Sequence, residues 1–216
     1  MLEAEIHVFA VSLEASFDRP RPFAKEKLDE LASWLTDPVE GLAASAEHVR
    51  VRLTDIMFDY ELSASLFGGN GTFKRDAERL LISARGARSK QDAEILMQSV
   101  MRFSKAVAAP EHLEMSFSAN AHAIVSTGSE REAFLARFKA DESVVGPGAL
   151  GLVRLPGWPD DIRVSIERSL AMDHGLFFSW NTRIRPGPVA EQAIKSLPST
   201  LGAAARVFGI NFKPLT

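Results

Sequence analysis

The sequence predicts an α+β protein built from an internally duplicated βαβββα unit, with antiparallel sheet or sheets and helices packed on one face. Three observations predict it. Long stretches alternate apolar and polar residues, as strands with one buried and one wet face must. Between them lie segments whose apolar residues recur at the three-to-four spacing of an amphipathic helix. The second half also repeats the first in order: Asp55-Ile56, Glu61 and Ser63 recur as Asp161-Ile162, Glu167 and Ser169, each 106 positions on. Upstream, Ser12-Leu13-Glu14-Ala15-Ser16 aligns with Ser116-Phe117-Ser118-Ala119-Asn120, and Val51-Arg52-Leu53 with Val153-Arg154-Leu155. Downstream, Ala93-Glu94 and Ser99 align with Ala190-Glu191 and Ser196. Ordered self-similarity marks a repeated supersecondary unit, here residues 1–110 and 111–216, packed as one pseudo-twofold body.

The elements follow in turn. Residues 5–17 alternate toward their end, with Val11, Leu13, Ala15 and Phe17 on one face, and read as a strand that Arg19-Pro20-Arg21-Pro22 stops. Ala24, Leu28, Leu31 and Leu35 have helical spacing, and Asp37-Pro38 ends that helix. Alternation returns from Val49 to Phe67, with Tyr60, Leu62, Ala64 and Leu66 opposite Glu61, Ser63 and Ser65. Gly68-Gly69-Asn70-Gly71 supplies residues that tolerate positive φ, so it reads as a turn into a strand over 72–85. Ser89 with Asp92 three positions later resembles a capping box for a helix over 90–107. The second half gives a strand over 113–125, a helix over 129–139 behind Ser129 and Glu132, and strands over 149–155, 162–172 and 176–184. A last helix spans 189–208, with Pro198 expected to kink it.

With 216 residues, 46% hydrophobic and 25% charged, the chain can bury a sizeable core. A formal charge of −3 disfavours nucleic acid as the main partner, because such domains carry a basic excess. The absence of cysteine removes disulfides, thiol nucleophiles and thiolate metal ligands. The opening Met1-Leu2-Glu3-Ala4-Glu5 is acidic where a secretory signal needs basic residues, and no run of about 18 apolar residues occurs. The expectation is a cytoplasmic protein with no membrane partner.

Candidate functional residues gather on the strand face turned from the helices: Ser12, Glu14, Ser16, Glu61, Ser63, Ser65, Ser116, Ser118, Asn120, His122, Glu167 and Ser169. A hydroxyl-rich face binds polar partners through several modest hydrogen bonds, although a merely solvated face has the same composition. Glu61 and Glu167 stand at equivalent repeat positions, so a twofold could pair their carboxylates for acid/base chemistry. Arg85 and Arg88 precede one helix and Arg183 and Arg185 its counterpart, where free backbone N–H groups favour an anion; Glu94 and Glu191 would satisfy them internally. Trp158, in the Pro156-Gly157-Trp158-Pro159 insertion, is either a partner contact or folded over its own loop. The five histidines show no metal-binding spacing, and no cofactor is implied.

These features favour a non-catalytic binding or interaction module. It would use the polar face (Glu61, Ser63, Glu167, Ser169, His122) or Trp158 to meet a protein or small polar ligand. The alternatives are a hydrolase with a carboxylate-lined cleft between the repeats, and anion or nucleic-acid binding through Arg85, Arg88, Arg183 and Arg185. Edge strands also leave room for a homodimer.

Overall fold

The computed structural model describes residues 1–21, 25–54, 59–106, 112–139, 147–156, 158, 160–184 and 195–213; the side chains of 25–28, 104–106, 112, 113, 197 and 198 are not described. The elements are β1 (Leu2–Phe17), α1 (Lys25–Thr36), β2 (Val49–Leu53), β3 (Tyr60–Leu66), β4 (Gly71–Arg75), β5 (Arg79–Ala87) and α2 (Lys90–Ala106). They continue as β6 (His112–Ile124), α3 (Gly128–Ala136), β7 (Ala149–Val153), β8 (Ile162–Arg168), β9 (Gly175–Ile184), α4 (Leu197–Val207) and β10 (Ile210–Lys213).

The ten strands of the described residues join one sheet, in the order β2-β3-β4-β5-β1-β6-β9-β8-β7. Every neighbour on that path is antiparallel. β10 lies off the path, parallel to the start of β1, with Leu2 opposite Ile210 and Glu5 opposite Lys213. The edge of β1 is therefore shared: β10 takes residues 2–5 and β5 takes residues 9–16.

The two halves differ from the expected βαβββα. Four strands, not three, separate α1 from α2, because the segment read as one strand over 72–85 breaks at Asp76. The Asp76 carboxylate accepts the backbone N–H groups of Glu78 and Arg79, both at 3.0 Å, which turns the chain back on itself. The second half gains β10, and residues 185–194, which include the expected start of the last helix, lie outside the described residues. Pro198 stands in the first turn of α4 rather than kinking it, a position where its missing N–H leaves no hydrogen bond unmade. The cap of α3 is Thr127 with Glu130, two residues before the expected Ser129 and Glu132. Asp55-Ile56 and Glu191, members of the repeat, fall outside the described residues.

The helices cover one face: α1 packs on β3, α2 on β5 and β1, α3 on β8 and β9, and α4 on β10 and β8. Alternation delivers Leu13, Phe117, Ile82 and Phe73 to that side, each almost fully buried. Phe103 of α2 meets the Phe73 ring edge-on at 6.1 Å. Phe178, Trp180 and Phe212 form a second aromatic cluster, with the Phe212 ring 4.7 Å from Phe178 and 5.8 Å from Trp180.

The opposite face presents an unbroken cross-strand row: Ser65, Thr72, Ser83, Ser12, Ser118, Asn181 and Arg163, from β3 through to β8. Each of these side chains is exposed or half-buried.

Candidate functional site

The sheet sets the distances between the sequence-derived candidates. Glu61 on β3 and Glu167 on β8 are six strand spacings apart in the strand order, about 29 Å across the sheet. Following the register, Glu61 lies level with Ser16 and Glu167 level with Val8, another ~26 Å along the strands. The two carboxylates occupy opposite corners. Glu61 is engaged locally, its Oε2 2.7 Å from Lys74 Nζ, and Ser63 lies half-buried beside it on the same face. The two cavities that Glu167 lines do not include Glu61.

Ser169 follows the end of β8 at Arg168, but its backbone N–H still donates to the Gly175 carbonyl at 3.0 Å, so alternation carries its side chain to the same side of the sheet as Glu167, where it is buried rather than wet. Its Oγ lies 2.9 Å from His122 Nδ1 and accepts the Ala171 backbone N–H at 3.2 Å. The sheet thus brings together two candidates found by separate arguments. The His122 ring lies 5.1 Å from that of Phe177, above a shallow cavity of about 330 Å³ also lined by Glu167 and Leu170. The His122 hydrogen bond goes to Ser169, and among the described residues none links it to Glu167. The arrangement pins the β8–β9 connection to β6.

Trp158 is 8% exposed, which removes it as a surface contact. Its Nε1 donates to Thr182 Oγ1 at 3.2 Å, and that hydroxyl donates to the Asp161 carbonyl at 3.1 Å. A buried indole N–H needs such a partner, so the inserted loop folds inward. Asp161 in turn receives two hydrogen bonds from Arg154, which hold its carboxyl below the ordinary aspartate range.

Arg85 lies in β5 and Arg183 in β9. Arg85 sits at a bulge in β5, where Phe9 pairs with Ala87 but Val11 with Ala84; its backbone N–H goes to Asn70 instead of β1, and its side chain is exposed. Arg88 is exposed just before α2, where Asp92, not Glu94, accepts its backbone N–H and that of Ser89 at 3.3 Å each. Arg183 belongs to β9 rather than to a helix approach, and its Nε lies 3.0 Å from Glu114 Oε1. Arg185 lies outside the described residues. Among those residues no group of three or more His, Asp or Glu gathers to hold a metal, and no helix is long and apolar enough to cross a membrane.

A site not foreseen from the sequence lies on the helical side. α2 rests on β5 and β1, α4 on β10 and β8, and the space between the two helices stays open above the start of β1. The result is a cavity of about 560 Å³ whose walls include Ile6, Phe9, Met97, Trp180, Leu201 and Phe212. Small residues widen it: Ala93 on α2, and Gly202 on α4, where an added methyl group would meet only Arg206 Nη1, at 3.6 Å. Among the described residues the buried Trp180 indole N–H has no hydrogen-bond partner, an unusual cost in this wall. One signal was legible: Ile210-Asn211-Phe212-Lys213 alternates like a short strand.

No family model matches this chain, and no curated protein matches it significantly. A solved structure from Bacillus halodurans, named as a "putative adenylate cyclase", is 11% identical over 96% of this chain and 79% of its own, with a TM-score of 0.17, too low to carry an argument about fold or function.

Proposed function

We propose that this chain is a non-catalytic binding module whose small-molecule ligand occupies the cavity between α2 and α4. The observation that supports this reading is a mostly apolar space of about 560 Å³ bounded by elements of both halves. Its size falls within the range of about 300–1,000 Å³ typical of ligand pockets. An uncharged environment-sensitive dye, N-phenyl-1-naphthylamine, tests it: fluorescence should rise on binding to the native chain and fall back in Gly202→Met, whose side chain would enter the cavity. Equal dye binding by a folded Gly202→Met and by Ala93→Trp would overturn the reading.

A second reading keeps the polar sheet face as a docking surface for a protein or polar ligand. The row from Ser65 to Arg163 favours it, since it runs through both halves without an apolar break. A variant with alanine at Ser12, Ser83, Ser118 and Asn181 would bind any such partner more weakly. Unchanged affinity would leave this face simply solvated.

A further inference from the structure

The rim of the α2–α4 cavity carries charge that its walls do not use. Lys90 opens α2, Arg206 lies in the last turn of α4, and Lys213 ends β10 opposite Glu5; Glu94 is the one carboxylate among the described lining residues. All four side chains are exposed, and among the described residues none of the three cations has an ion-pair partner. Lys90 and Glu94 are four positions apart on one helix, yet they are not paired. Among the described lining residues three cations stand against one anion, while the chain as a whole is −3. Lys90 also stands at a helix N-terminus, where the macrodipole disfavours a cation and favours an anion beside it.

An apolar cavity beneath a cationic mouth fits one ligand class. Resting on the cavity reading above, we infer that the ligand is an amphipathic anion: a hydrocarbon or aromatic body seated against Phe9, Met97 and Trp180, with one acidic head group held by Lys90, Arg206 and Lys213. A neutral molecule of the same body would fill the space but leave the three cations unmatched. A cationic one would be repelled by all three and attracted only by Glu94.

Calorimetric titration of the intact chain with dodecanoate, dodecanol and dodecylammonium, each below its micelle concentration, separates these cases. The expected result is dodecanoate bound about tenfold or more tighter than dodecanol, which corresponds to about 1.4 kcal/mol, with dodecylammonium weakest. The preference should shrink at high salt. It should vanish in the triple variant Lys90→Gln, Arg206→Gln, Lys213→Gln, whose exposed changes leave the core intact. Equal binding of acid and alcohol, or a preference for the ammonium, would overturn the charge inference while leaving the cavity as a binding site. Failure of all three to bind, together with dye binding unaffected by Gly202→Met, would overturn both.

Discussion

Replacing Thr182 by Val separates the two roles of the Trp158 loop. Valine matches threonine in shape but can neither accept the Trp158 N–H nor donate to the Asp161 carbonyl. At 8% exposure the indole has little access to water, so its N–H would be left unsatisfied. Stranding one buried donor costs about 1–3 kcal/mol. For a chain of this length each kcal/mol lowers Tm by ~2–4 °C, so Thr182→Val should melt about 2–12 °C lower. Trp158→Phe alone also destabilises, through lost ring volume. The double variant has no donor left to strand, and its loss should fall short of the sum by about 1–2 kcal/mol. Urea titrations of the four proteins, followed by far-UV circular dichroism, measure that coupling. Losses that add to within ~0.5 kcal/mol would show that the hydrogen bond does not hold the loop.

Gly202→Ala should raise stability by up to about 1 kcal/mol in thermal melts, because α4 gains helix propensity and the added methyl meets nothing closer than 3.6 Å. Gly41→Ala should cost at least about 2–4 kcal/mol, since its methyl would fall 1.6 Å from the Trp34 carbonyl oxygen; a melt within 1 °C of the native value would contradict the packing of that turn. The Ser89 hydroxyl, then the backbone N–H of Arg88, hold the Asp92 carboxyl below its ordinary pKa. The folded state then binds fewer protons than the unfolded one, so this contribution is complete above about pH 5 and declines as pH falls below 4. Asp92→Asn should flatten that part of the acid-side stability curve, and an identical slope in both proteins would rule out the carboxylate as its source.

Much of the fold is legible because long strands with one wet face leave strong alternation. β1, β6 and β9 carry it over ten or more residues, and their inward sets, from Leu13 through Phe117 to Trp180, are the buried ones. The break at Asp76 is hidden, because Lys74 to Arg79 is a charged run whose turn depends on one carboxylate accepting two backbone N–H groups. Ser169 keeps the face that alternation gives it, but its burial against His122 is not visible in the pattern. The sheet face was readable from its hydroxyls, whereas the cavity was not. Ala93 and Met97 look like ordinary core positions, and only the spacing of α2 from α4 leaves them lining a cavity, with buried Trp180 in its wall.

The parallel pairing of β10 with β1 has a consequence for how the molecule comes together. Glu3 and Asn211, hydrogen-bonded at 3.0 Å, are 208 positions apart, so this pairing closes nearly the largest loop the chain can form. Loop-closure entropy delays such contacts until nearer ones have formed. Phe212 arrives with β10, and Ile6 and Phe9 lie on the strand it joins, so this wall of the cavity is expected to take shape late. A ligand bound there would brace a closure between the two ends of the chain.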